Sequence, residues 1–513
     1  MSISKKPEIK LAGILRIAVV ALAVLSQLVL LALLVLLLKQ NSVYIYLFLQ
    51  FVSLVKVCVL VVRNKLSSYT LAWLIIILIL PVFGFLLYIF WGRTGTYALK
   101  SQKTLKTLLR EMKWLEKNPD VQDELEKAHP TRRKISRYLQ QEGFPLYKNT
   151  KSKYYKLGEL QFDEMISDLE KAERFIFLEY FIIGEGQLWD RIHDILKRKA
   201  SEGVEVRLLY DDLGSIITAP NNLNKKLESE NIKVASFNPV HKYISRLYIN
   251  YRNHQKIAVI DGNIGYTGGT NIADEYANLY KKYGHWKDTA IRLEGDAVWS
   301  LTVTFLQMWE IETGTQEDYY KYKPTINVEG DGFYQPFSDG PVNNPHNPAE
   351  AMYYQLITNA KEYVYITTPY LVVDDSMTDV LCMAAMSGID VRIITPKIPD
   401  HWYVHMVTRS TYGRLLEAGV RVYEYTPGYI HAKTIISDDD HAVTGSINMD
   451  YRSFYLHYEN GVWICGAPVL KDIRKDIMDT FEVSEEIELD KWKARPWYIK
   501  LLQFFLKLFA PLF

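Results

Sequence analysis

Apolar and polar positions divide this chain into two regimes. Over the first 92 residues the apolar positions run on with no amphipathic period. Residues 17–38, IAVVALAVLSQLVLLALLVLLL, carry no charge over 22 positions, and a helix of that length spans about 30 Å of hydrocarbon. Residues 43–62 form a second run broken only by Lys56. Residues 70–91 form a third, TLAWLIIILILPVFGFLLYIFW, with Pro81 and Gly84 inside it. No small-residue cleavage site follows the first run. The pattern therefore predicts a retained membrane anchor over 1–92, with two or three transmembrane segments, and not a removable leader. Residues 93–154 are polar and helical in pattern. From residue 155 onward, short β-branched runs alternate with amphipathic stretches, which predicts βαβ units and a largely parallel sheet. Residues 485–513 end in WYIKLLQFFLKLFAPLF. That stretch is too short to span easily, and it predicts an amphipathic tail lying against the membrane.

The middle of the chain is a duplication. Residues 155–330 and 331–484 repeat one order of signals. AERFIFLEYFII at 172–183 answers AKEYVYITTPYLVV at 360–373. EGVEVRLLYDD at 202–212 answers SGIDVRIITPK at 387–397, and LESENIKVASF at 227–237 answers LLEAGVRVYEY at 415–425. A helix, a glycine and a short β-branched run recur at Gly203, Gly388 and Gly419. Each half then closes on one motif, NHQKIAVIDGNIGYTGGTN at 253–271 and IHAKTIISDDDHAVTGSIN at 430–448. His254, Lys256, Asp261, Gly268 and Asn271 align with His431, Lys433, Asp438, Gly445 and Asn448, at identical intervals of two, five, seven and three. Composition alone gives one His-x-Lys-x4-Asp on the order of 0.04 times in such a chain, so two copies are no accident.

Strand alternation puts each His and its Lys on one face. Two halves packed side by side would bring two imidazoles, two ammonium groups and the amides of Asn271 and Asn448 into one cleft. That is a cradle for a phosphoryl group, with imidazoles placed for attack and for leaving-group protonation. Charge and cysteine content narrow the alternatives. Lys+Arg total 60 and Asp+Glu 59, which gives no whole-chain attraction to nucleic acid. Cys58, Cys382 and Cys465 form neither a disulfide framework nor a zinc cluster. The lysines beside the histidines oppose a cation, and no Gly-x4-Gly-Lys loop is present, so neither a metal nor another cofactor is expected. Seven Lys/Arg between Arg93 and Lys117 suit a stretch drawn to anionic lipid headgroups. The Lys/Arg distribution favours a cytoplasmic catalytic region.

These residues resemble the phospholipase D superfamily. Within it the chain resembles bacterial cardiolipin synthases over nearly its whole length, through AWLIIILILPVFGFLLYIFWGR, EGVEVRLLYDDLGS, YGHWKDTAIRLEG, FSDGP and YRSFYLHYENGVW. The resemblance implies an α/β fold of two similar phospholipase D-like halves sharing one active site, preceded by N-terminal transmembrane helices. It implies a metal-independent reaction through a phosphohistidine, with His254 as nucleophile and His431 as general acid and then base. Lys256, Lys433, Asn271 and Asn448 would hold the phosphate. Gly269 stands where the second half has Ser446, so a hydroxyl contact to the phosphate is expected on one side only. Asp261 and Asp438 belong to the motif and are grouped with its catalytic residues, although they also suit a capping role at the strand-to-turn passage. A downstream carboxylate would orient each histidine, Asp288 in the first half and Glu459 in the second. The implied reaction joins two phosphatidylglycerols in the membrane into cardiolipin and releases glycerol. A membrane phospholipase D releasing phosphatidic acid, a nuclease or other phosphodiesterase, and a non-enzymatic scaffold are the other classes. Acceptor identity and oligomeric state are not readable from the sequence.

Overall fold

A computed structural model of the chain describes residue 29 and residues 42–63, 67–80, 83–88, 99–239, 251–342 and 346–512. The first apolar run, Val29 apart, lies outside the described residues. Contacts divide the chain into two units, one chiefly of residues 1–95 and one of residues 96–242 and 251–511.

The N-terminal unit contains the helices Ser42–Arg63, Ser67–Ile79 and Phe83–Leu87. Within the third apolar run, whose Pro81 and Gly84 admit a kink or a re-entrant turn, the described residues form two helices. Between these two helices the sequence carries Pro81, a residue with no N–H to continue a helix. A Cβ on Gly84 would lie 2.4 Å from the Ile76 carbonyl oxygen, so only glycine permits that close return. Trp73 packs edge-on against Tyr88 at 5.5 Å. Among the described residues, no helix is long and apolar enough to cross a membrane.

The second unit holds both repeats. The first half contributes β1 (Thr150–Tyr155), β2 (Phe175–Tyr180), β3 (Glu205–Asp211), β4 (Lys233–Phe237), β5 (Arg252–Asn253), β6 (Ile257–Ile260), β7 (Ile264–Gly268), β8 (His285–Lys287) and β9 (Ala290–Gly295). Seven of these form a sheet in the order β1-β9-β7-β6-β2-β3-β4. The second half contributes β10 (Phe333–Asp339), β11 (Tyr363–Thr367), β12 (Leu371–Val372), β13 (Asp390–Pro396), β14 (Arg421–Tyr425), β15 (Gly428–Ile430), β16 (Thr434–Ser437), β17 (His441–Gly445), β18 (Met449–Asp450), β19 (His457–Cys465) and β20 (Ser484–Glu486). Its main sheet runs β10-β19-β17-β16-β11-β13-β14-β20, the same plan with β20 added at the edge.

The expected largely parallel sheet is in fact mixed. Among the described residues, β2-β3-β4 and β11-β13-β14 are the parallel ladders along these two strand orders, and every other pairing along them is antiparallel. Each motif folds as an antiparallel hairpin, β6–β7 and β16–β17. The reason is local. Asp261 and Gly262 take positive φ in one turn, and Asp438 and Asp439 in the other, conformations that Asp and Gly tolerate best. That short turn leaves no room for a crossover helix.

The polar stretch before the repeats forms the helices Leu99–Glu111, Pro119–Ala128 and Arg133–Gln141. Between the last two, Arg132 is buried. Its guanidinium donates to Asp438 at 2.9 Å, to Asp440 at 3.0 Å and to the Asn359 carbonyl at 3.0 Å. The stretch read as a linker is thus tied into the turn of the second motif. Replacing Arg132 with Met strands those carboxylates, and the expected loss is about 3 kcal/mol of unfolding free energy, read by denaturant titration. At the far end, helix Trp497–Leu508 packs against helix Trp402–Glu417.

Candidate active site

The motif aspartates hold the scaffold. Asp261 accepts from the backbone N–H groups of Glu173, Arg174 and Phe175 at 2.7–2.9 Å. Asp438 accepts from those of Lys361, Glu362 and Tyr363 at 2.9–3.2 Å. Each carboxylate fastens the start of β2 or β11 to a hairpin turn, at the opposite end of β6 or β16 from the histidine. They do not join the catalytic cluster, which corrects their grouping with the reacting residues and agrees with the capping role.

The histidines are oriented across the two halves. His254 follows β5, which pairs in parallel with β19 of the other half, and its N–H donates to the Tyr458 carbonyl at 2.9 Å. That register sets its Nδ1 at 2.9 and 3.0 Å from the two Glu459 oxygens. His431 follows β15, which pairs in parallel with β8, and its N–H donates to the Lys287 carbonyl at 2.7 Å. Its Nδ1 lies 2.6 Å from Asp288. The sequence reading gave each histidine the carboxylate of its own half, and the structure exchanges them. Two short parallel ladders between the halves are the cause.

A carboxylate only accepts, so Nδ1 of each ring carries the proton and Nε2 is left with a lone pair. Lys433 Nζ also lies 2.7 Å from His431 Nδ1. Because that nitrogen donates to Asp288, the lysine's hydrogen bond goes instead to the His431 carbonyl. Lys256 likewise donates to the His254 carbonyl.

Ser446 departs from its expected role. Its Oγ donates to Glu459, and Ser453 Oγ donates to the other oxygen of that carboxylate at 2.8 Å. The hydroxyl therefore anchors the carboxylate that orients His254, and its proton is committed to that contact. Gly269 explains the asymmetry. A Cβ there would stand 2.0 Å from Asp288 Oδ1, so the shorter carboxylate needs glycine where the longer one uses serine. Gly269→Ser, which would make the two motifs more alike, is expected to push Asp288 aside. Turnover should fall on the order of a hundredfold, with a thermal melt confirming that the variant is folded.

The amides differ in their ties. Asn271 accepts from the Ile182 N–H at 3.0 Å and donates to Tyr276 at 2.9 Å. Asn448 keeps a buried Oδ1 with no partner among the described residues.

Burial and positive charge set the electrostatics. Burial pulls His254 well below its ordinary pKa, with Lys256 and Lys433 adding to the effect. Burial and then Lys433 lower His431, against the pull of Asp288. Burial also lowers Lys256 well below its usual range and Lys433 to about 8. Both imidazoles are thus neutral near pH 7 in the ligand-free protein, and the site is poised to receive an anion.

Several site residues were not recognised in the sequence. Asp211, at the end of β3, accepts from Arg252 at 2.9–3.0 Å and from the Asn253 N–H at 2.9 Å, and so fixes the segment that carries His254. Asn253 also donates to Glu179, whose carboxyl burial pushes up to about 8. The acidic pair ending YDD was the available signal. Phe181 and His457 stand beside His254, at 5.0 and 5.3 Å between ring centres. Tyr276, Trp286 and Tyr429 surround His431 at 5.5–5.8 Å. His254, His457 and Glu459 bring three ligating atoms within 4.8 Å of one another. The two lysines oppose a cation there, and the Glu459 oxygens are already engaged.

Known proteins share this plan. The family described as cardiolipin synthase, PLD-like domain, matches residues 165–291 and 353–480. The family described as phospholipase D-nuclease N-terminal matches residues 48–93. An uncharacterized protein of Streptococcus mutans is 39% identical over 88% of this chain and 98% of its own. Cardiolipin synthase 2 of Bacillus anthracis is 35% identical over 89% of each chain. The cardiolipin synthase of Geobacillus kaustophilus is 34% identical over 88% of this chain and 91% of its own. In shape, phosphatidylserine synthase of Haemophilus influenzae matches with a TM-score of 0.56 at 15% identity, over 74% of this chain and 97% of its own. That likeness is one of fold.

Proposed function

The chain belongs to the cardiolipin synthase family of PLD-like phosphatidyltransferases, and from that membership we propose that it joins two phosphatidylglycerols into cardiolipin and releases glycerol. The observation that carries the mechanism is the pair of buried imidazoles, each with Nδ1 tied to a carboxylate and Nε2 left for chemistry. His254 Nε2 attacks phosphorus. His431 takes a proton from solvent on Nε2 as the anionic substrate binds; the bond from phosphorus to the glycerol oxygen then breaks, and His431 gives that oxygen this proton. A phosphatidyl group then sits on His254. A hydroxyl of the second phosphatidylglycerol loses its proton to His431 and attacks phosphorus. The P–N bond breaks and both histidines return to their starting state. One phosphodiester is exchanged for another, so no nucleotide is required.

Lys256, Lys433, Asn271 and Asn448 hold the non-bridging oxygens. The incoming phosphate offsets the field of the lysines, which raises the proton affinity of His431 when an acid is needed. Residues 1–92 anchor the chain as a multi-pass membrane segment with the catalytic unit on the cytoplasmic side. Exposed Tyr44, Leu47, Phe48 and Phe51 on the first described helix support that reading. The tail helix rests on the bilayer through exposed Trp497, Tyr498, Leu501, Phe504 and Phe505.

The test is purified full-length protein with labelled phosphatidylglycerol in mixed micelles, without nucleotide. Cardiolipin with free glycerol is the expected product. Phosphatidic acid without cardiolipin would make the protein a phospholipase D that lets water reach the phosphohistidine. The pH profile supplies a second check. Lys433 titrates near 8 in the free protein, charged below and neutral above. kcat/KM should therefore fall roughly tenfold per pH unit above pH 8. Lys433→Arg, which stays charged, should lose that limb whatever its absolute rate. An unchanged limb would assign it to another group.

A further inference from the structure

The two halves expose matching apolar segments at equivalent places. β3 and β13 are equivalent strands, each parallel to the opening strand of its half, β2 or β11. After β3 the chain turns through Asp212–Ser215 and exposes Ile216 and Ile217, by 53% and 48%. After β13 it exposes Ile398 and Trp402, by 39% and 59%. A single exposed apolar residue needs no explanation. The same feature at the same topological position in both halves does.

Both segments connect to a catalytic histidine. Ser215, next to Ile216, donates to the Phe181 carbonyl at 3.2 Å and accepts from the Ile183 N–H at 3.0 Å. The Phe181 ring packs on His254. In the other half, Asp400 accepts from the Tyr370 hydroxyl, which accepts from Tyr429 at 3.1 Å. The Tyr429 ring lies beside His431. One apolar segment therefore belongs to each side of the catalytic pair.

The occupant follows from chemistry and continuity. A cleft that takes one phospholipid and then a second must open at the level of their headgroups. Isoleucine and tryptophan tips suit the boundary between headgroups and acyl chains. Trp402 begins the helix against which the aromatic tail helix packs, so the second segment is continuous with a face already suited to lipid. Exposed Lys225 and Lys226 follow the first segment and suit an anionic surface.

We propose that Ile216–Ile217 and Ile398–Trp402 are two lips that dip into the headgroup layer, so that phospholipid passes from the bilayer into the cleft without crossing water. The inference rests on the phosphatidyltransferase reading. A lipid bilayer is the one occupant that both lips can share while the cleft between them stays open to substrate.

The test uses the full-length chain in vesicles of phosphatidylglycerol and phosphatidylethanolamine. Ile217→Cys, in a background with Cys58→Ser and Cys382→Ser, carries an environment-sensitive fluorophore. Lipids brominated on their acyl chains should quench it and aqueous iodide should not. In parallel, the double variant Ile217→Glu/Trp402→Glu should convert bilayer phosphatidylglycerol at least about tenfold more slowly. Its rate on dispersed short-chain phosphatidylglycerol should be unchanged. Quenching by iodide alone overturns the proposal. So does an equal loss on both substrates, which makes the residues structural, or no loss on either. Protection from both quenchers in a protein that self-associates would place a second copy on the lips, and also overturns it. If no cardiolipin forms and the brominated lipids still quench, the transferase reading fails and the lips stand.

Discussion

His431→Ala is expected to stop the enzyme halfway. With natural substrate its turnover should fall by about 10⁴-fold, since both the departure of glycerol and the activation of the second alcohol lose their proton carrier. A phosphodiester whose leaving group is p-nitrophenolate needs no acid. On that substrate the variant should release one equivalent of nitrophenol in a burst and then stall, and mass spectrometry should find the phosphoryl group on His254. His254→Ala should give no burst on either substrate. The pair of variants assigns roles that two nearly identical motifs leave symmetric. A burst from His254→Ala and none from His431→Ala would exchange nucleophile and acid.

The second large effect follows from the exchanged carboxylates. Glu459 holds the tautomer of His254, although it lies 205 residues further along the chain. Glu459→Gln offers an amide that can donate to Nδ1 and turn the ring's lone pair the wrong way. The burst rate with the nitrophenyl substrate should drop by roughly 10³–10⁴-fold, the scale seen when a triad carboxylate becomes an amide. Asp288→Asn acts on His431. It should spare the burst and slow only the turnover that follows. If each carboxylate served the histidine of its own half, the two variants would swap phenotypes. Rapid quench of both on one substrate decides between the pairings, and near-normal melting curves keep the comparison free of misfolding.

Much of this site was legible before any coordinates. The equal intervals from His254 to Asn271 and from His431 to Asn448 are local quantities, and local quantities survive into the fold as hairpins. The β-branched runs after Gly203, Gly388 and Gly419 became β3, β13 and β14, and the run after Asn231 became β4. What escaped were features made by distant contacts. The ladders that exchange Asp288 and Glu459 involve β5, β8 and β15, strands of two or three residues, too short to leave a period. The mixed sheet was missed because a buried antiparallel strand such as IAVI reads like a parallel one. Arg132 lay inside a polar stretch whose charges look solvated until Asp438 and Asp440 close on it. Ser446 looked like a ligand for phosphate because its partner, Glu459, is thirteen residues away and comes beside it only when β17 and β19 pair.

The exchange of carboxylates also imposes an order in time. A chain leaving the ribosome presents His254 long before residue 459 has been made. Until then the imidazole has no carboxylate to set its tautomer, and for most of that time no second histidine to supply a proton. A nascent or prematurely terminated product is therefore chemically silent toward the lipids around it. His431 emerges after Asp288 and finds its partner waiting, so His254 is the later of the two histidines to be oriented. Reactivity toward the membrane arises only once nearly the whole polypeptide exists.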